Sequence, residues 1–144
     1  MDKTKLSYFA GILDGEGCVT ISYHQKRNTH RMRLLVVNTN KDVIDWLSNN
    51  FGGHVYEIKR HSQRNPKWKK RFEWHFVPSR EYQWVLKGIL PFLIIKKRQV
   101  EIALAFMATI GKSKYRLSPE QFNLRESLHQ ELKKLNSRGT GFND

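Results

Sequence analysis

Leu6, Phe9, Ala10 and Leu13 recur at helical spacing, which predicts a helix over residues 4–13 that breaks at Asp14-Gly15-Glu16-Gly17. Beyond the break the period drops to two. Val19, Ile21 and Tyr23 alternate with Thr20, Ser22 and His24, the pattern of a strand with one apolar and one polar face. A second strand is expected over residues 31–38. Asn40 can cap a helix beginning at Lys41, whose apolar positions Val43, Ile44, Leu47 and Phe51 run to Gly52-Gly53. Two more strands follow: a weakly alternating one over 54–61, and a clear one in which Arg71, Glu73 and His75 interleave with Phe72, Trp74 and Phe76. Ser79 reads as the cap of a helix ending near Leu90. Pro91 then opens a longer apolar helix through Ile94, Ile95, Val100, Ile102, Leu104 and Phe106, stopped by Gly111. Ser118-Pro119-Glu120-Gln121 begins a last helix carrying Phe122, Leu124, Leu128, Leu132 and Leu135, and residues 136–144 read as a frayed tail.

This order is αββαββα with extra C-terminal helices, an α+β pattern. It predicts one domain over residues 1–144, with a four-stranded antiparallel sheet, helices packed on one face and the other face open. No internal repeat or low-complexity segment interrupts it.

Composition narrows the class of partner. The 144 residues are 39% hydrophobic, enough for a core, and 26 Lys and Arg against 13 acids give a formal charge of +13, the footprint of a polyanion binder with nucleic acid foremost. No run approaches the roughly eighteen apolar residues of a spanning helix, and MDKTKLSY lacks a signal peptide's apolar stretch, so a soluble, intracellular protein is expected. The single cysteine, Cys18, excludes an internal disulfide and a cysteine-built zinc site, and reads as a small buried residue rather than a nucleophile. The six histidines show no pair four apart on one helix, which argues against zinc. Trp46, Trp74 and Trp84 fall where core is expected, while Trp68 lies in a basic loop where it could stack on a base.

Two features of the first helix carry chemistry. Gly11 costs about 1 kcal/mol in a helix interior. With Ala10 beside it, the glycine is either tolerated in a core helix or there to let a second helix approach closely. Glu16 sits between two glycines just past the expected helix end, where free carbonyls and the negative end of the dipole favour a cation. Asp14 and Glu16 are therefore either solvated turn acids or part of a hard-oxygen metal site that a second chain's acid would complete.

FAGILDGEG at residues 9–17 resembles the signature of the LAGLIDADG homing endonucleases, and PFLIIKKRQ at 91–99 resembles the family segment in which a catalytic lysine follows Pro-Phe-Leu. The resemblance covers about residues 6–135. It implies a sheet shaped as a DNA-binding saddle and a site-specific endonuclease. Such an enzyme cuts both strands by metal-dependent hydrolysis with Mg2+ or another divalent cation such as Mn2+, leaving short cohesive ends. Residue by residue, Glu16 matches the metal-binding acid, aspartate in many members, with the Gly15 carbonyl as a second ligand. Lys96 matches the active-site lysine, with Lys97 its neighbour. Asn38, continuing the face of Leu34 and Val36, matches the residue that orients water, with Thr39 the fallback. The resemblance assigns no position to the family's additional basic residue. One signature motif implies a homodimer paired through Phe9, Ala10, Gly11 and Leu13, hence a pseudo-palindromic double-stranded target. An intron RNA maturase or a DNA-binding regulator of the same fold is the alternative.

On this reading the open face presents Thr20, Ser22, His24, Lys26, Arg31, Arg33, Glu57, Lys59, Arg71, Glu73 and His75 to base edges. The two acids suit cytosine, and Lys67, Lys69 and Lys70 in the long loop suit phosphates. Lys112, Lys114 and Arg116 would support the phosphate contacts.

Overall fold

The computed structural model describes residues 2–59, 70–110 and 117–138. Among them are five α-helices: α1 (Lys3–Glu16), α2 (Lys41–Phe51), α3 (Gln83–Ile89), α4 (Lys97–Ala108) and α5 (Pro119–Arg138). The strands are β1 (Gly17–His24), β2 (Thr29–Asn38), β3 (His54–Ile58) and β4 (Arg71–Phe76). They form one antiparallel sheet in the order β1-β2-β4-β3, as the α+β reading expects. No helix among the described residues is long and apolar enough to cross a membrane.

Register explains which side chains the helices cover. Val19 pairs with Leu34, Ile21 with Met32, Leu34 with Phe76 and Val36 with Trp74, so these apolar residues share one face and are buried against α1, α2 and the later helices. Phe9 projects from α1 into the centre, its ring 4.6 Å from Phe51 and 5.5 Å from Trp74. Trp74 buries its indole and donates its N–H to the Gly52 carbonyl at 2.8 Å. Trp46 packs edge-on against Tyr8 and Phe51, whereas Trp84 is exposed, contrary to the core expectation.

Local signals were followed closely at α2 and α5. The Asn40 side chain accepts from the Asp42 N–H, and Gly52 ends the helix with φ of 80°. Ser118 Oγ accepts from the Gln121 N–H at 3.2 Å. α5 continues past the expected start of the tail, and Asn136 Nδ2 donates to the Val19 carbonyl of edge strand β1 at 2.9 Å.

Three expectations are corrected. α1 does not break at Asp14 but runs through Glu16 and ends at Gly17, where a Cβ would lie 2.9 Å from both Leu13 Cα and the Leu13 carbonyl oxygen. Pro91 does not open a long helix. It sits in a 3-10 turn (Leu90–Phe92), Ile94 and Ile95 are exposed, and α4 begins only at Lys97. Ser79 likewise precedes a 3-10 turn (Arg80–Tyr82) without a side-chain cap.

Phe9→Ala should destabilise the chain itself by about 3–5 kcal/mol, because the side chain fills the junction of α1, α2 and β4. Denaturant titration by tryptophan fluorescence measures this. A loss under 1 kcal/mol would remove Phe9 from the core.

Candidate active site and nucleic-acid interface

The end of α1 and the approach to α4 are joined by one side chain. The Asp14 carboxylate accepts from the backbone N–H groups of Ile94 at 2.7 Å, Ile95 at 3.2 Å and Lys96 at 2.9 Å. In return Lys96 Nζ donates to the Asp14 carbonyl at 2.8 Å. That carbonyl belongs to the last turn, where the helix offers it no N–H and the dipole favours a cation. Asp14 is thus neither a solvated turn acid nor a free metal ligand. The amides of residues 94–96 bond to Asp14 instead of within a helix, which is why α4 starts late.

Two residues beyond Asp14, Glu16 leaves the helix exposed. Its Oε2 accepts from Asn38 Nδ2, and Asn38 Oδ1 accepts from the Asn40 N–H at 2.8 Å. The end of β2 is therefore tied to the end of α1, and the amide of Asn38 is oriented from both sides. Glu16, Val37, Asn38, Thr39 and Arg71 line an open cleft of about 450 Å³. The Arg71 guanidinium enters it from the first position of β4, and Arg71 Nε is buried without a hydrogen-bond partner among the described residues. Nothing in the sequence pattern distinguished Arg71 from the other bases of the open face. Only the strand order, which sets β4 beside β2, brings it to Glu16.

Cys18 lies on the open face, opposite Leu35, rather than in the core. Burial raises its thiol pKa, against the opposing charges of Lys96 and Arg33, so it is a poor nucleophile.

The remaining predicted residues separate by strand. Thr20 opposes Arg33 and Ser22 opposes Arg31 on the open face, while His24 and Lys26 are exposed at and beyond the end of β1. Arg33 is 3.2 Å from His75 Nδ1, whose Nε2 is 2.8 Å from Glu73, a chain of polar groups across β2 and β4. Glu57 is corrected. It pairs with Phe72, which puts it on the helix side, where it contributes to raising the pKa of Lys41 on α2 after the larger effects of Asp45. Tyr56, paired with Glu73, takes the open-face position. β3 is an edge strand with polar residues on both sides, so its alternation had no apolar face to fix its phase. Lys70 pairs with Glu57 at 3.3 Å, and Lys59 follows β3 exposed. Lys69, with Lys67, Trp68, Lys112, Lys114 and Arg116, lies outside the described residues.

The expected pairing surface is also corrected. Phe9, Ala10 and Leu13 are completely buried within the chain and cannot meet a second copy. The outward face of α1 carries Tyr8, Gly11 and Gly15, and a Cβ at either glycine would meet nothing within 4 Å.

No protein-family model and no curated protein sequence matches the chain. Solved structures do. The archaeal intron-encoded homing endonuclease I-Vdi141I complexed with DNA aligns over 100% of this chain and 91% of its own, with a TM-score of 0.76 at 18% identity. The homing endonuclease I-CvuI in complex with its target, in the presence of calcium, aligns over 92% of this chain and 82% of its own, at 0.73 and 19%. The LAGLIDADG meganuclease I-AabMI bound to uncleaved DNA aligns over 86% of this chain but 43% of its own, at 0.66 and 18%. The chain has the LAGLIDADG homing endonuclease fold. Within it, the signature-like stretch is the helix whose last turn holds Asp14 and Glu16, and the lysine-bearing stretch is the bend that Asp14 anchors.

Asp14→Ala should free the amides of Ile94, Ile95 and Lys96, accelerate their hydrogen exchange and cost about 1–3 kcal/mol. Lys96→Ala keeps those amide bonds and should leave exchange at residues 94 and 95 slow. Equal exchange in wild type and Asp14→Ala would show that the bend is held by something else.

Proposed function

We propose that this chain is one half of a homodimeric, site-specific endonuclease that hydrolyses both strands of a long pseudo-palindromic DNA target. The observation that carries the reading is the meeting of Glu16, Asn38 and Arg71 in one open cleft, with the Lys96 ammonium fixed at the same helix end. The DNA complexes of I-Vdi141I and I-CvuI, proteins of the same fold, support it, as does the charge of +13.

The donor set fits a hard divalent cation. Glu16 offers an exposed carboxylate, and Gly15 a last-turn carbonyl beside it. A magnesium or manganese ion bound there would withdraw charge from the scissile phosphate and make a neighbouring water more acidic. Asn38 holds Glu16 in one orientation, so the carboxylate does not swing into the helix end. Lys96, held at the Asp14 carbonyl, donates to a phosphate oxygen as phosphorus becomes five-coordinate. Arg71, which lines the same cleft, would grip another oxygen of the same phosphate and supply the basic group that the resemblance left unassigned. Water attacks phosphorus and the departing O3′ takes up a proton, leaving a 3′ hydroxyl and a 5′ phosphate.

A second copy is required because one chain brings one such acid. Gly11 and Gly15 are four residues apart on the outward face of α1, with open space above both, so two α1 helices can cross there at close range. That crossing would set the two Glu16 residues on either side of the two-fold axis. The chain matches 43% of I-AabMI, as a half-unit of a longer chain would.

Incubation with a randomised duplex library and magnesium, with sequencing of the ends produced, should give defined pseudo-palindromic cuts that vanish in Glu16→Gln while DNA affinity persists. In Lys96→Ala, cleavage should slow on the order of 100- to 1,000-fold with binding little changed. Cuts that survive Glu16→Gln would remove that residue from the metal site, and tight binding of DNA or intron RNA without cleavage would favour the regulator or maturase.

Gly11→Leu should convert the dimer to a monomer in sedimentation analysis while the circular dichroism spectrum is unchanged. A normal dimer would place the interface elsewhere.

A further inference from the structure

We propose that His30, Glu126 and His129 form a second metal site, selective for zinc-like transition ions, which pins α5 to the β1–β2 hairpin. It stands apart from the acid site. His30 lies eight residues from Asn38 along β2, roughly 26 Å at strand rise.

Three observations carry the assignment. The ligating atoms of the three side chains, two imidazole nitrogens and a carboxylate oxygen, lie within 4.8 Å of one another. His30 Nε2 is 2.6 Å from Glu126 Oε2, and His129 Nδ1 is 3.6 Å from the same oxygen, too far for a hydrogen bond. His129 Nδ1 is nevertheless buried without a hydrogen-bond partner among the described residues, as is His30 Nδ1. A buried ring nitrogen left in this way costs about 1–3 kcal/mol, and a cation between His129 and Glu126 would engage it.

The surroundings fit ligation. Gln130 Nε2 donates to Glu126 Oε1 at 2.8 Å, which orients the carboxylate and leaves Oε2 for the ion. Phe122 of α5 and Tyr23 of β1, each with its ring 5.1 Å from that of His30, wall the site. The Glu126 side chain remains 39% exposed, which gives an entry path and a fourth position for water. His30 would bind through Nε2 with its ring proton on Nδ1, so its hydrogen bond with Glu126 is exchanged for a shared ligand position. Two imidazoles and one carboxylate suit zinc, whereas magnesium prefers the all-oxygen set at Glu16.

Histidine spacing argued against zinc because the ligands are divided between elements. Glu126 and His129 share a face of α5 three residues apart, but the third ligand comes from β2, 96 residues before Glu126.

The test is calorimetric titration of the tag-free, chelator-treated chain with zinc, alongside His129→Ala and Glu16→Gln. One equivalent per chain should bind wild type and Glu16→Gln alike, fall on the order of 100-fold or more in affinity in His129→Ala, and survive millimolar magnesium. Zinc at a hundredfold excess over Kd should raise the wild-type Tm by roughly 5–10 °C. A cobalt titration of wild type, independent of any variant's folding, should give the intense visible bands of a four- or five-coordinate nitrogen–oxygen site. Absence of binding, binding unchanged in His129→Ala, or binding lost instead in Glu16→Gln would overturn the assignment.

Discussion

The Asp14 carboxylate, holding three consecutive backbone N–H groups of residues 94–96, is the constraint on which the site depends. It joins segments eighty residues apart in sequence and fixes where the Lys96 side chain leaves the main chain. Without it, the amides of Ile94, Ile95 and Lys96 would lose their partner and Lys96 its defined distance from Glu16. An acid at this point could have served as a metal ligand, but its oxygens are occupied. The two acids of the DGEG stretch therefore divide the work, Asp14 building the frame and Glu16 facing the cleft.

That division follows from the length of α1. Because the helix runs to Glu16, Asp14 and Glu16 are 200° apart around its axis and must point in different directions. Had the chain turned at Asp14, both would have sat in one loop. The same angular argument separates the faces upstream. Phe9, Ala10 and Leu13 point inward to Phe51 and Trp74, and Gly11 and Gly15 outward, so core and proposed pairing surface occupy opposite sides of one helix.

Much of this was legible where a strong local signal agreed with burial. The Asn40 cap, the alternation of β4, the order of elements and the placing of Asn38 on the face of Leu34 and Val36 all appear in the structure. The sequence failed where a long-range polar contact overrode the local pattern. Ile94 and Ile95 looked like core at helical spacing and are exposed, because their amides are bonded to Asp14. The phase of β3 was invisible for a related reason: an edge strand polar on both sides carries no hydrophobic preference, and pairing with β4 decides that Tyr56 rather than Glu57 faces outward. Arg71 and the His30 cluster are products of topology alone.

The polar chain on the open face bears on how such a surface would read DNA. Arg33, His75 and Glu73 already bond one another, so a base edge that engaged His75 or Glu73 would have to replace existing partners. For a matched base the exchange is close to even, since each group regains a hydrogen bond. With a mismatched base one group is left buried and unpaired, at about 1–3 kcal/mol. Nonspecific phosphate contacts carry no such penalty, so a net charge of +13 can supply affinity everywhere on a duplex without supplying discrimination. On the proposed function, the internally bonded face converts that general attraction into selection of a site, and the acid within it is as necessary to selectivity as the bases around it.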